Sequence, residues 1–127
     1  MKYIFKAFYF YFIVCVCISC GNDSHNKIQL GERESKGKDL FIKMACNACH
    51  SIDGKLKLGP SIKNQFGTEI RHTDGSVMII DEAYIRESIV EPLKFIVEGY
   101  TPIMPSYKPI LSDEDIINIV AYIKALK

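Results

Sequence analysis

Apolar positions Gly37, Leu40, Phe41, Met44 and Ala45 recur at i, i+3, i+4, i+7 and i+8. That spacing lines one face of an α-helix, so a helix is predicted to lead into Cys46. Toward the other end, Ser112 precedes Asp113, Glu114 and Asp115, and Ile116, Ile119, Val120, Ile123 and Leu126 follow at helical spacing. A hydroxyl cap, acidic residues at the positive helix end and a continuous apolar stripe predict a second helix there. Between the two, Asp81 is placed to cap a shorter helix whose Tyr84, Ile85 and Ile89 face inward and which ends before Pro92. Thr73-Asp74-Gly75, set between EIRH and SVMII, predicts a small hairpin. The stretches 52–66 and 97–110 carry Gly59, Gly99, Pro60, Pro102, Pro105 and Pro109 and read as loops. The expected domain is therefore mostly α, with three to four helices, long loops and little sheet.

Upstream, the pattern changes. Lys2 and Lys6 precede an unbroken apolar run from Ala7 to Ile18, followed by Ser19-Cys20-Gly21. The run falls short of the about 20 residues a membrane-spanning helix needs. A basic start, a short apolar stretch and a small residue before a cleavage point make an export signal over residues 1–19. Cysteine directly after that small residue resembles a bacterial lipoprotein signal, in which Cys20 becomes the lipidated first residue; an uncleaved anchor is the alternative. Residues 20–35 are polar and lack a period, which predicts a flexible tether that includes a solvated His25. The domain then occupies 36–127, exported and held by lipid on a bacterial membrane, facing the periplasm.

Composition narrows the partners. With 16 basic and 15 acidic residues in 127, the balance gives no case for nucleic acid. Loss of Lys2 and Lys6 with the signal turns the net charge slightly negative. A domain so rich in loops has a thin core, which a large buried cofactor would complete.

The segment CNACHSIDG, Cys46 to Gly54, carries the chemistry. Two thiols three apart can form a disulfide, a redox dithiol, half of a zinc site or a covalent tether for haem. On a helix Cys46, Cys49 and His50 share a face, so two thioethers and an imidazole could serve one porphyrin. A redox dithiol expects a preceding strand in a βαβ setting, and a helix is predicted instead. Zinc lacks a fourth ligand at a suitable spacing, and a plain disulfide leaves His50 idle. One haem would need a further axial ligand from Met44, Met78, Met104, His72 or His25. Met44 reads as core, Met78 as filler in VMII and His72 as an exposed residue beside a turn. Met104 stands between Pro102 and Pro105, where a stiff backbone could hold a thioether in place.

GKDLF (37–41), CNACHSIDG, LGPS (58–61), DEAYIRESI (81–89), MPSY (104–107) and LSDEDIINIVAYIKAL (111–126) together resemble the class I cytochromes c. The likeness is greatest to the cytochrome c domain fused to subunit II of some haem-copper oxidases, here without the copper-binding portion. This resemblance implies one covalent haem c on Cys46 and Cys49, His50 as proximal ligand and Met104 as distal ligand. It also implies that the Pro60 carbonyl orients His50, that Gly37 and Phe41 meet Tyr122, and that Tyr100 and Tyr107 donate to haem propionates. Phe66, Phe95 and Ile103 would shield the ring, and Lys55, Lys57, Lys63, Lys94 and Lys108 would ring its exposed edge. The implied activity is electron transfer rather than catalysis, alone or as a subunit of an oxidoreductase complex. Its partners would be respiratory redox proteins, a quinol-oxidising complex and a terminal oxidase or reductase, with no small-molecule substrate. The alternatives are a five-coordinate haem peroxidase or gas sensor, and a dithiol oxidoreductase.

Overall fold

The computed structural model describes residues 30–127. The segment expected to be an export signal, Cys20 and His25 lie outside the described residues. Helix α1 spans Glu32–Lys43 and so begins inside the segment expected to be tether. Its first turn carries Glu32 and Glu34 at the positive helix end, and Lys36 pairs with Glu32 at 2.8 Å one turn on. Charge, not apolar spacing, builds this turn.

Ala45 then takes a left-handed backbone, φ 57°, which breaks the helix although the apolar spacing runs through it. A single turn, α2, follows at Cys46–Cys49. Strands β1 (Glu69–Arg71) and β2 (Val77–Ile79) form an antiparallel hairpin in which Ile70 faces Met78. Helix α3 spans Glu82–Val90, its first turn closed by the Tyr84 amide donating 2.8 Å to the Asp81 carboxylate. Helix α4, Asp113–Ala125, opens on a reciprocal cap. The Asp115 amide donates to the Ser112 hydroxyl at 3.2 Å, and the Ser112 amide donates to the Asp115 carboxylate at 3.0 Å. No described helix is long and apolar enough to cross a membrane.

The scaffold is the crossing of α1 and α4. A β-carbon on Gly37 would lie 1.9 Å from the Asn118 carbonyl oxygen, so only glycine allows these backbones so close. One turn on, Phe41 and Tyr122 pack edge to face with centroids 5.6 Å apart. Ile116, Ile119 and Ile123 of α4 continue the core toward Tyr84, Ile85 and Ile89 of α3. Lys124 with Glu82 and Arg86 with Asp113 tie α3 to α4 on the outside.

His72 corrects an expectation: it is 2% exposed, not on the surface. The chain at His72 bridges to Val97, which lays the hairpin against Phe95 and α3. Its Nε2 lies 3.0 Å from the Tyr84 hydroxyl and its Nδ1 3.2 Å from the Ser76 hydroxyl. With both ring nitrogens engaged, His72 is a satisfied core residue and leaves no lone pair for a metal.

Candidate haem-binding site

Helix α2 holds Cys46 and Cys49 one turn apart, half-buried, and both are free thiols. Burial pushes the Cys46 thiol up, against the direction that activates a redox cysteine. His50 does not continue the helix. Its amide makes the last helical bond, to the Cys46 carbonyl at 2.8 Å, but its own backbone is extended at φ −109°, ψ 128°. The imidazole therefore leaves at the end of the turn rather than from the shared helical face that the spacing predicts.

The loop after the motif grips that ring. His50 Nδ1 lies 2.8 Å from the Pro60 carbonyl oxygen. A carbonyl can only accept, so the proton sits on Nδ1 and Nε2 keeps its lone pair. Gly59 makes the approach feasible, since a β-carbon there would come within 2.6 Å of His50 Cε1. The loop is sewn to the motif through the Gly59 amide on Cys49 O and the Ile62 amide on Ser51 O, both at 2.9 Å. Ser51, 2% exposed, adds a bond from its hydroxyl to Lys55 O at 2.6 Å. Neither Gly59 nor Ser51 stood out in the sequence as a site residue; the Gly-Pro dipeptide was the one available signal for the former.

Cys46, Cys49 and His50 line an open cleft with about 1430 Å³ of atom-free space, solvent at its mouth included. Its walls are overwhelmingly apolar, with Ile85, Ile89, Phe95, Ile103 and Met104 among them. Of the described axial candidates, Met104 alone faces this space. Met44 and Met78 pack against the core, and His72 is committed elsewhere. Tyr100 is half-buried in the cleft wall.

Three expectations change here. The Tyr107 hydroxyl donates 2.9 Å to the Met44 carbonyl, so its single proton is spent on backbone and not on a propionate. Phe66 lies outside the cleft lining, packing on the core beneath Lys124, whose ammonium is 5.1 Å from the ring centre. Three of the five lysines of the expected rim have acidic partners within the chain, Lys55 with Asp53, Lys94 with Glu87 and Lys108 with Glu91, while Lys57 donates to the neutral Asn47 carbonyl.

This donor set fits a haem. Two thiols, an imidazole and a thioether share an open cleft with a mostly apolar lining. Among the described residues no cluster of three or more His, Cys, Asp or Glu could hold a metal ion without a porphyrin. No curated protein sequence matches the chain. The family model for cytochrome c does match, over residues 34–127, so the chain belongs to the cytochrome c family, whose haem c is covalently attached through the Cys-x-x-Cys-His spacing seen at Cys46, Cys49 and His50 and whose members carry electrons.

Proposed function

We propose that this cytochrome c is a one-electron carrier with histidine and methionine axial ligation. Cys46 and Cys49 are the thioether anchors, His50 Nε2 the proximal ligand and the Met104 sulfur the distal one. Haem c supplies the one-electron chemistry, its iron alternating between ferrous and ferric. The chain's own residues set the conditions. Pro60 holds the His50 tautomer through the 2.8 Å bond to Nδ1, and this is the observation that carries the reading. Met104, a soft thioether in an apolar wall, favours the ferrous state and a raised potential. A haem held by both His50 and Met104 would have no open site for turnover, which would suit electron transfer over peroxidase or gas-sensing chemistry.

The proposal extends to setting. The lipoprotein-type signal supports a periplasm-facing protein held on a membrane by lipid on Cys20. The resemblance to the oxidase subunit II domain supports exchange between a quinol-oxidising complex and a terminal oxidase or reductase. Leu58 and Ile103, both exposed on the cleft's lining, favour brief docking through a small contact with an apolar centre.

Spectra of the mature protein, made in a host able to attach haem, test the ligation. The parent should be low-spin, with the weak long-wavelength ferric band of methionine-bound haem. Met104→Ala should lose that band and bind carbon monoxide readily when reduced. A parent that already binds carbon monoxide at neutral pH would point to the five-coordinate alternative.

A further inference from the structure

The loop that carries Met104 is fastened at three points just beyond it. The Tyr107 amide donates to Ile89 O at 3.0 Å and the Ser106 hydroxyl to Val90 O at 2.6 Å. Both acceptors belong to the last turn of α3, where helix geometry leaves carbonyls without intrahelical partners. The third fastening goes elsewhere. The Tyr107 hydroxyl reaches across 63 positions of chain to the Met44 carbonyl at 2.9 Å.

Met44 is the residue that closes α1, and it stands two positions before Cys46. Tyr107 stands three positions after Met104. One hydrogen bond therefore links the segment bearing the thiols and His50 to the segment bearing the thioether, and it bypasses α3. Burial pushes the Tyr107 phenol up, so the hydroxyl keeps its proton, and hence this bond, through the neutral range.

We propose that the Tyr107 hydroxyl is a strap that fixes the attachment segment and the Met104 loop relative to one another, making Tyr107 the positioning residue for the distal ligand. The inference rests on Met104 being that ligand. Methionine has three rotatable bonds and a soft sulfur, so its retention on a metal depends on how firmly its loop is held. Any competing ligand must first let the loop swing away, and that step breaks the strap. A net hydrogen bond of this kind corresponds to a change of about 2- to 10-fold in the ratio of open to closed loop.

The test uses the haem-loaded protein and imidazole as a competing ligand. Tyr107→Phe keeps the ring and the two α3 fastenings. It should bind imidazole about 5-fold more tightly in the ferric state, while retaining the long-wavelength band without imidazole. In an alkaline titration that band should disappear at a pH lower by about 0.7, the same factor on a logarithmic scale. Ordinary structural loosening would lower the unfolding midpoint and leave imidazole affinity within two-fold of the parent; that result overturns the strap. Met104→Ala separates the two claims. If it binds imidazole as weakly as the parent and keeps the band, the ligand assignment fails. If it binds tightly and has lost the band while Tyr107→Phe matches the parent, only the strap fails. Should Tyr107→Phe not accumulate, fluorotyrosine labelling of the parent reads the same bond. The Tyr107 fluorine resonance should shift as imidazole displaces Met104, and a resonance indifferent to imidazole overturns the proposal.

Discussion

Where α1 crosses α4, the contacts are closed: Gly37 lies against the Asn118 backbone, Phe41 against Tyr122, and Ile119 within the core. Around the cleft, some apolar side chains are left exposed. Leu58 and Ile103 are exposed on its lining, and Leu56, in the loop that leads into it, is 90% exposed. The first region is completed by the chain itself, and the second is completed by the haem. Unequal demands on sequence follow. The crossing tolerates no added atom, while the cleft loops need anchors to hold their shape against an apolar space they cannot fill.

Removing both thiols should separate the two regions most sharply. Cys46→Ala with Cys49→Ala should abolish covalent haem altogether, seen as loss of the tetrapyrrole adduct from the mass of protein made in a host able to attach haem. If an adduct persists, the attachment residues are misassigned. Next in size is Gly37→Ala, which touches no cleft residue. With its new carbon 1.9 Å from a backbone oxygen, it should cost about 3 kcal/mol or more in thermal unfolding of the holoprotein. A cost below about 1 kcal/mol, the ordinary range for a surface change, would mean that the crossing can yield.

Gly59→Ala should be smaller in stability and larger in spectroscopy. Its methyl would meet the His50 ring, so the imidazole must turn or Pro60 must retreat. About 1–2 kcal/mol of stability and a displaced absorption maximum are expected; an unchanged spectrum would show that the ring is not gripped there. Smallest is Ser112→Ala, at about 1 kcal/mol for a lost helix cap. Hydrogen bonds from Ser112 hold the Asp115 carboxyl below its ordinary range. A depressed carboxyl contributes stability above the unfolded value of 3.8 and loses it as pH falls through the folded value. The difference between parent and variant in acid unfolding should therefore shrink as pH drops below 3.8. A difference that stays constant into strong acid would detach the cap from that carboxyl.

These two regions were unequally legible in the sequence. Helices α3 and α4 and the hairpin announce themselves through local signals: Asp81, Ser112, Asp74-Gly75 and apolar spacing. The start of α1 was missed because its first turn holds no apolar residue, although Glu32 and Lys36 at helical spacing were there to be read. Ala45 gave no warning either, since alanine is a good helix former and the break lies in its backbone angle. The extended backbone of His50 is why the helical turn that holds Cys46 and Cys49 does not carry the imidazole on the same face. The burial of His72 depends on a bridge to Val97, and the Tyr107 bond on a carbonyl far upstream. Contacts made at such distances leave no periodic trace. Cys46, Cys49, His50, Pro60 and Met104 could be singled out because local spacing or a familiar pattern marks each of them.

The seat of Gly37 against Asn118 also sets an order of events in biogenesis. Its two halves come from opposite ends of the described chain, so the scaffold cannot close until the residues of α4 have been made. A chain interrupted before Asp113 would leave Gly37 and Phe41 without the surface they pack against.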